Sequence, residues 1–579
     1  MKFILKYLKK FPKEILAVVL STIVTCLSIL GIPTMLAEMI DKAIVVNQIS
    51  NAWPYIWGIV LFTVLGFISR SIRMYMASRV VNQMTMEIRN DVYSKMLNLS
   101  HHEFQEFGVP SLTNRITNDA FVILQFTEML LKQGMMGPVM IVFSVFMIMK
   151  IAPNLGFRIT PAVFMILAFV VIIALTTKPL SEKQQKYLDK LNRILRESIT
   201  GLRVIRAFNR EAFQNNRFMA VNHQYRKTSG NLFKIMAAAP SLFYLVVNVT
   251  MIAIIWMGAK MIAVGELQVG TLSAFIEYIF QALFSLVVFA NIFMMYPRAA
   301  VSANRLGDVQ KAPITVQNPK NPVKEVKERG TLEFKHVDFA YPDADEPVLR
   351  DISFKSRPGE TVAFIGSTGS GKSTIVKLIP RFYDVTRGQI LVDGVDVRDY
   401  DLRDLRKKIG FTPQSALLFK GKIADNLRYG KHDADTADMD HATEISQARD
   451  FLSKLEEGYD SELAEKGSNL SGGQKQRLSI ARSIIEDREI YIFDDSFSAL
   501  DYKTDAKVRA ALKEETKGAT TIIVAQRVGT IMHADQIVVL DRGRIDAIGT
   551  HEELLRNSDI YYKIASSQLS EEELKIEKE

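Results

Sequence analysis

The stretch TVAFIGSTGSGKSTIVKLI, residues 361–379, decides the fold of the second half of the chain. Its first five residues predict a buried strand, its glycine-rich middle matches G-x-x-x-x-G-K-[ST], and its last residues predict a helix. In this strand–loop–helix context, backbone N–H groups and the helix N-terminus can surround phosphate groups. The sequence therefore predicts a phosphate-binding loop, and with it an α/β domain that binds a nucleotide.

The side chains of this loop have distinct expected roles. Lys372 can reach the outer phosphates, and the Ser373 hydroxyl can ligate Mg²⁺. A chance match to the four fixed positions is expected in about one chain in 50 of this length, and the flanking strand and helix lower that chance further. We assign nucleotide binding to the whole loop, that is to Gly366, Ser367, Thr368, Gly369, Ser370, Gly371, Lys372, Ser373 and Thr374.

Two further motifs lie downstream of the loop. The run IYIF, residues 490–493, predicts a buried strand that ends on Asp494 and Asp495, and such acidic pairs commonly hold a metal–nucleotide complex. LSGGQ, residues 470–474, predicts a turn that opens a helix and presents the Ser471 hydroxyl and backbone N–H groups to an anion. One P-loop domain has no use for two phosphate cradles, whereas two such domains that face each other head to tail do.

The first half of the chain has the pattern of a membrane protein. A helix needs about 20 mostly apolar residues to cross a bilayer. Six such stretches occur, at 14–40, 53–78, 127–150, 157–177, 236–262 and 269–296. We therefore predict six transmembrane helices.

The distribution of basic residues predicts the orientation of these helices. The short loops between them contain few Lys or Arg, whereas the long segments near 79–126 and 178–235 contain many. The positive-inside rule places both termini and both long segments in the cytoplasm. The net charge of +9 is then explained by a basic cytoplasmic face, and the single cysteine, Cys26, excludes an intrachain disulfide.

A segment rich in Pro, Lys and Asn separates the two halves. We predict an α-helical transmembrane domain over residues 1–310, with cytoplasmic helix extensions, a linker over 311–330, and an α/β P-loop nucleotide-binding domain over 331–579. Turns near Gly108–Pro110 and Ser198–Gly201 are the expected contact points between the membrane helices and the nucleotide-binding domain.

Together these motifs resemble those of ABC exporters of half size, in which six transmembrane helices precede one ATP-binding cassette. The resemblance covers essentially the whole chain and rests on GSTGSGKST (Walker A), LSGGQ (signature), IYIFDD (Walker B) and SALD (D-loop). It implies an ATPase that uses ATP and Mg²⁺, with Ser373, Gln414 and Asp494 as the magnesium ligands. It also implies that Gln414 links the cassette to the membrane domain and that Tyr341 stacks on adenine, for which a core tyrosine is the alternative.

Two positions depart from the family pattern. Asp495 stands where the family has the glutamate that orients the attacking water. Its carboxylate sits roughly 1.5 Å back, about one bond length, and errors of about 1 Å can cost on the order of a hundredfold in rate. Gln526 stands at the position of the switch histidine and cannot carry the same charge. Tolerated variation is the alternative for either change alone, but the pair predicts a degenerate site that binds ATP and hydrolyses it poorly.

The signature residues, by contrast, are intact: Ser471, Gly472, Gly473 and Gln474. In the family's dimer each ATP lies between one chain's Walker motifs and the other chain's signature. The resemblance therefore implies a heterodimer, in which this chain completes the site of a second half-exporter that carries the Walker B glutamate and the switch histidine. A homodimer would have two poor sites. The chain resembles the degenerate-site subunit of bacterial heterodimeric multidrug exporters, which are multi-pass proteins of the cytoplasmic membrane in contact with lipid.

The expected substrates are hydrophobic or cationic small molecules. Helices rich in Met and Phe suit a promiscuous apolar cavity. Glu277, about two turns into the sixth helix, could attract cations or form a structural pair. Export of a lipid, peptide or thiol compound, and a regulatory or channel-like membrane protein with a weak cassette, remain as alternatives. Soluble nucleic-acid ATPases with related cassettes lack membrane helices, so no nucleic-acid partner is expected.

Overall fold

The computed structural model describes residues 1–324, 326, 328–570 and 574, without eleven side chains between Ile159 and Met294. The chain divides into two compact units, one of residues 1–97 and 109–312 and the other of residues 98–108 and 313–579. The segment Asn98–Gly108 lies between two membrane helices in the sequence. It nevertheless belongs to the same unit as the nucleotide-binding domain.

The first unit consists of helices in the part of the chain that the structure describes. The α-helices are Lys2–Leu8, Pro12–Met39, Trp53–Leu97, Val109–Asn114, Ala120–Met129, Met136–Ile151, Pro153–Thr200, Leu202–Ala207, Glu211–Ala263 and Val269–Lys311. Short π-helical segments at Ile40–Ile44, Arg115–Asp119 and Leu130–Gly134 and a 3₁₀ turn at Ile49–Ala52 connect some of them. The longest helix has 53 residues, about 80 Å at 1.5 Å per residue, far more than a bilayer core of about 30 Å requires.

Among the described residues, five helical stretches are long and apolar enough to cross a membrane: Pro12–Ile44, Ile49–Leu97, Val109–Ile151, Glu211–Ala263 and Val269–Phe289. They correspond to five of the six predicted spans. The remaining prediction, 157–177, falls within the helix Pro153–Thr200, where seven side chains lie outside the described residues.

The first two membrane helices pack closely because small residues line their contact. A Cβ atom at Gly31 would come within 2.7 Å of the Phe62 ring. The hydroxyl groups of Thr25 and Ser69 lie 3.0 Å apart across the same contact. In apolar surroundings, small residues allow two helices to approach closely and so increase their van der Waals contact. Each hydroxyl group in such a contact also needs a hydrogen-bond partner, which the other helix supplies here. The contact thus fixes the antiparallel register of the two helices.

Asp41 caps the last membrane helix from a distant part of the chain. Its carboxylate accepts hydrogen bonds from the backbone N–H groups of Gly270, at 2.6 Å, and Thr271, at 2.9 Å. The Thr271 hydroxyl donates a third, at 3.1 Å. A carboxylate at this position satisfies backbone donors that the helix itself leaves unpaired and meets the positive end of its dipole. Asp41 therefore ties the C-terminal end of the first membrane helix to the start of the last one.

The second unit contains twelve strands and eleven α-helices in its described part. The strands, numbered in chain order, are β1 Leu332–Phe339, β2 Leu349–Ser356, β3 Thr361–Gly366, β4 Arg387–Val392, β5 Val395–Asp396, β6 Ile409–Thr412, β7 Gly421–Lys422, β8 Glu462–Leu463, β9 Ile490–Asp494, β10 Thr520–Val524, β11 Gln536–Asp541 and β12 Arg544–Gly549. The α-helices are His101–Phe107, Lys372–Leu378, Leu402–Lys407, Ile423–Leu427, Thr436–Ile445, Arg449–Leu452, Gly472–Ile484, Tyr502–Glu515, Val528–Ile531, His551–Asn557 and Asp559–Ser566.

A six-stranded sheet with the order β12-β11-β3-β10-β9-β6 forms the centre of this unit, and β11, β3, β10, β9 and β6 run parallel. A four-stranded antiparallel sheet, β2-β1-β4-β5, and the pair β7-β8 complete it. Because the carboxyl ends of parallel strands meet at one edge of a sheet, the segments that follow β3, β6, β9 and β10 come together there. These four segments contain the P-loop, Gln414, the acidic pair and Gln526.

Candidate nucleotide-binding site

The P-loop depends on glycine for its backbone shape. Gly369 and Gly371 have φ angles of +85° and +103°, a region that other residues rarely adopt. At Gly371 a Cβ atom would also lie 2.6 Å from the Leu349 side chain, whereas at Gly369 it would meet no heavy atom within 4 Å. The loop therefore turns sharply into the helix Lys372–Leu378 and keeps an open backbone surface at Gly369.

The ammonium group of Lys372 lies over its own loop. Its Nζ donates hydrogen bonds to the carbonyl oxygens of Gly366, at 2.8 Å, and Ser367, at 2.9 Å. Burial lowers the pKa of Lys372, and the carboxylates of Asp495 and Asp494 partly oppose that shift. The positive charge is thus held between the loop and the acidic pair, where it can meet the outer phosphates of a nucleotide.

Ser373 and Asp494 form a site with the chemistry that Mg²⁺ prefers. The Ser373 hydroxyl donates to Oδ1 of Asp494 at 2.8 Å, and Asp494 is only 3% exposed. Burial raises the pKa of Asp494, and the hydrogen bond from Ser373 opposes that shift. Hydroxyl and carboxylate oxygens fit Mg²⁺, which is usually bound through one or two carboxylates, substrate phosphates and water. In the described part of the chain, no group of three or more His, Cys, Asp or Glu side chains could hold a metal ion.

Asp495 is held in a fixed position by its backbone and by two glutamines. Its φ angle is +49°, a left-handed conformation that Asp tolerates better than most residues, and its backbone N–H donates to the Val524 carbonyl at 2.9 Å. The side-chain amides of Gln526, at 2.9 Å, and Gln414, at 3.4 Å, both donate to Oδ2. Burial raises the pKa of Asp495, and these two hydrogen bonds oppose the shift. Three positions singled out in the sequence are therefore in direct contact.

The hydrogen bond to Asp495 determines which atom of Gln414 is free to bind a metal ion. Because its amide nitrogen points to Asp495, Oε1 is the atom with which it would meet magnesium. The sequence identified Gln414 and Gln526 separately, each from its own motif. The structure adds that both side chains bind the same carboxylate oxygen.

The Tyr341 side chain lies beside the first turn of the helix Lys372–Leu378, which follows the P-loop. Its hydroxyl group is 3.1 Å from Oγ1 of Thr374. Its ring makes edge contacts with Phe339, at a centroid distance of 4.9 Å, and with Tyr383, at 5.3 Å. The side chain is half-buried, so Tyr341 is not a fully buried core residue. Its hydrogen-bond distance to Thr374 places it beside the phosphate loop. The stacking of adenine on Tyr341 stays a prediction.

The signature forms the N-terminus of the helix Gly472–Ile484. The Ser471 hydroxyl accepts a hydrogen bond from the Gln474 backbone at 3.3 Å, and the Gln474 side chain accepts one from the Ser471 backbone at 2.8 Å. Ser471 and Gly472 are exposed, and a Cβ atom on Gly472 would meet nothing within 4 Å. Among the residues that the structure describes, no hydrogen bond or ion pair of this motif reaches the P-loop of the same chain. The signature therefore presents an open surface.

Gln568 is a site residue that sequence reasoning missed. Its side chain donates to the Gln526 carbonyl at 2.9 Å and accepts from the Val528 backbone at 2.8 Å. It thereby fixes the backbone of the loop that carries Gln526. The sequence contains no local signal for this contact, since Gln568 lies 42 residues downstream of Gln526 and beyond the last strand.

Glu277 lies in the first unit, on the helix Val269–Lys311. It is half-buried and accepts a hydrogen bond from the Gln281 side chain at 3.2 Å. It forms no ion pair with another described residue. One turn further along, the rings of Phe280 and Phe284 stack at a centroid distance of 6.3 Å. A carboxylate thus lies on the same helix as an aromatic pair.

Two family models match the chain. Residues 15–287 match the ABC transporter transmembrane region, and residues 349–498 match the ABC transporter model. An uncharacterised ABC transporter ATP-binding protein of Mycobacterium tuberculosis is 35% identical, with 97% of each chain covered. An ATP-dependent lipid A-core flippase of Syntrophus aciditrophicus is 31% identical over 86% of this chain and 82% of its own length.

The fold also matches a solved structure of a bacterial Atm1-family ABC exporter with ATP bound. The TM-score is 0.80 at 25% sequence identity, and the match covers 96% of this chain and 98% of the other. The similarity therefore extends through both units of the chain.

Proposed function

This chain belongs to the ABC exporters, as a half-transporter ATPase with one transmembrane region and one ATP-binding domain, and from that premise we propose that it is the degenerate-site subunit of a heterodimeric multidrug exporter. It binds MgATP at its own Walker motifs and hydrolyses it slowly. Its intact signature completes the site of a second half-exporter, where most hydrolysis takes place. Both termini and the cassette are cytoplasmic in this proposal, in a bacterial cytoplasmic membrane, as the basic residues of the long segments support.

The contact of Asp495 with Gln526 and Gln414 is the observation that carries the slow-site proposal. A general base must reach the water that it activates, within hydrogen-bond distance. Here the carboxylate is already bound by two amide donors, and it is one methylene shorter than the glutamate of the family pattern. Gln526 donates one of its two amide hydrogens to Asp495, which leaves one for a phosphate. Both features support ATP binding with slow hydrolysis.

The exposed signature supports the heterodimer. Ser471 and Gly472 are exposed at the N-terminus of a helix and make no described hydrogen bond to the chain's own P-loop, so a second cassette has access to them. Two copies of this chain would give two sites with Asp495 in the catalytic position. A co-subunit with a glutamate there gives one fast site, which this chain's signature would complete.

The substrate proposal rests on the membrane helix that carries Glu277. A carboxylate within a membrane helix is costly unless it is hydrated or paired, and Glu277 has only the Gln281 amide as a described partner. A carboxylate on the same helix as the stacked Phe280 and Phe284 rings suits cations with an apolar body. We therefore favour hydrophobic cations over neutral compounds as substrates.

Replacing Glu277 by glutamine tests this assignment. The reconstituted two-chain complex should transport cationic dyes several-fold more slowly, while neutral dyes keep their rate, because only the charge at the cavity changes. The matched control is Glu266→Gln, which removes an exposed carboxylate in the loop before the same helix. An equal loss for cationic and neutral dyes would assign Glu277 a structural role instead.

Lipid export is the second candidate, and the relative described as a lipid A-core flippase favours it. The same reconstituted vesicles distinguish the two. ATP-dependent accumulation of dyes without movement of labelled phospholipid supports multidrug export. Movement of labelled lipid without dye accumulation supports a flippase, and a nucleotide-dependent conductance with no turnover would identify a channel-like protein.

A further inference from the structure

The helix His101–Phe107 makes aromatic contacts inside the cassette unit. The His101 ring stacks on Phe382 at a centroid distance of 5.9 Å and meets Tyr383 edge-on at 5.5 Å. The preceding Ser100 hydroxyl accepts a buried hydrogen bond from the Val316 backbone at 3.0 Å. A segment that lies between two membrane helices in the sequence is therefore held within the cassette unit by the side chains of Ser100 and His101.

Tyr383 connects this helix to the expected adenine residue. It is 6% exposed. Its hydroxyl donates to Oε1 of Gln105 at 3.3 Å, and Nε2 of Gln105 lies 2.9 Å from Nε2 of His101. Its ring meets the ring of Tyr341 at 5.3 Å and an interplanar angle of 88°. The contacts thus run without a gap from Tyr341 through Tyr383 to Gln105 and His101.

The surroundings of Tyr383 keep its hydroxyl group protonated, so that it can donate a hydrogen bond. Burial, together with Tyr341 and the charge of Glu103, raises the pKa of Tyr383 to about 12. The phenol therefore stays neutral under cellular conditions, and its single proton is directed to Gln105. A change in the orientation of the ring changes this hydrogen bond directly.

Glu103 makes the docked position of the helix costly. It is 2% exposed, and neither carboxylate oxygen has a hydrogen-bond partner among the described residues. A buried carboxylate without a partner opposes the arrangement that buries it. The buried Glu103 carboxylate therefore offsets part of the favourable aromatic packing of the helix His101–Phe107. Because the two effects oppose each other, a ligand with a small preference for one position of the helix can shift the equilibrium between positions.

We propose that Tyr383 is a positioning residue that transmits adenine occupancy at Tyr341 to the helix His101–Phe107 through Gln105. A base stacked on Tyr341 fixes that ring, and the edge contact then fixes the ring of Tyr383 and its hydroxyl. This path responds to the base, whereas Gln414 and Asp495 lie on the phosphate side of the site. The inference rests on the proposed binding of MgATP at this chain's own Walker motifs, together with the expected stacking of adenine on Tyr341.

The test compares two probes that fill the site differently. Hydrogen–deuterium exchange is measured for peptides that cover residues 98–108 of the full-length chain, without ligand, with MgATP, and with magnesium tripolyphosphate, which has phosphates but no base. MgATP should slow exchange in this segment about fivefold, the size expected for one net hydrogen bond. Tripolyphosphate should leave it unchanged. Equal protection by both probes would overturn the proposal.

Three single variants and one double variant separate transmission from general stability. Tyr383→Phe keeps the ring and removes the bond to Gln105, so the protection by MgATP should fall by more than half. Tyr400→Phe is the matched control, since Tyr400 is a buried tyrosine of the same unit whose hydroxyl binds the Val392 carbonyl at 2.9 Å, and it should retain the protection. Gln105→Leu should act like Tyr383→Phe, and the double variant should lose no more than either one. Equal effects of Tyr383→Phe and Tyr400→Phe, or additive losses in the double variant, would contradict transmission through this bond.

This readout is independent of transport. If no dye or lipid moves but the protection depends on the base and on Tyr383, the proposed substrate class fails and the inference stands. If dyes are transported but tripolyphosphate protects the segment as well as MgATP does, the inference fails and the proposed function stands.

Discussion

Replacing Ser471 by arginine is expected to lower ATP hydrolysis by the two-chain complex on the order of a hundredfold, the size of effect seen when a donor to a reacting centre is removed. Ser471 lies exposed at the start of the helix Gly472–Ile484 and is not bonded to its own P-loop among the described contacts. In the proposed heterodimer its hydroxyl and the backbone N–H groups after it bind the γ-phosphate of the co-subunit's ATP. A long side chain at this position would exclude that phosphate.

A second variant separates this effect from loss of the helix cap. Ser471 accepts a hydrogen bond from Gln474, and aspartate caps helices as well as serine does. Ser471→Asp should therefore preserve the fold but repel the phosphate, and hydrolysis should fall nearly as far. Ser453→Arg, at an exposed serine of the same unit, is the matched control and should have little effect. Retention of more than half of the wild-type rate by both Ser471 variants would exclude a role for this signature in the active site.

Replacing Asp494 by asparagine should weaken magnesium-dependent binding of ATP to this chain by at least about tenfold, because loss of even an outer-shell partner of a metal ligand costs about ten- to a hundredfold and Asp494 is an expected ligand. Asp494 is buried and accepts the Ser373 hydroxyl at 2.8 Å, so the change removes a charge and keeps the shape of the side chain. The measurement is the titration of a fluorescent ATP analogue on the purified chain with Mg²⁺ and with a chelator. In the chelator the variant and the wild type should bind equally, and an unchanged magnesium dependence would show that Asp494 does not support the metal.

The sequence predicted the elements whose signals are local. The strand and loop at 361–374 and the acidic pair after β9 each follow from a short pattern, because hydrophobic period and glycine placement are properties of neighbouring residues. Their convergence is a property of the observed sheet, whose parallel strands end at one edge. Five of the six predicted spans were found for the same reason, since length and apolar composition suffice to identify them.

The contacts that the sequence did not predict join residues far apart along the chain. Tyr383 and Gln105 are 278 residues apart, and Gln526 and Asp495 are 31 residues apart. No periodicity or motif encodes which of many tyrosines or glutamines will meet. Likewise, the turn near Gly108–Pro110 was an expected contact point, but only the fold assigns the whole segment Asn98–Gly108 to the cassette unit.

The central claim is that this chain's own Walker site hydrolyses little of the ATP that the complex consumes. Asp495→Asn tests it with little risk to the fold, because asparagine also tolerates the left-handed φ of +49° found at this position. The variant should retain the binding of MgATP, since Lys372, Ser373 and Asp494 are unchanged.

The decisive measurement is the steady-state ATPase rate of the purified two-chain complex with Asp495→Asn in this chain, beside the complex with the corresponding acid of the co-subunit changed to its amide. We predict that Asp495→Asn keeps more than half of the wild-type rate and that the co-subunit variant loses nearly all of it. Loss of turnover with Asp495→Asn, at normal expression and normal MgATP binding, would contradict the account.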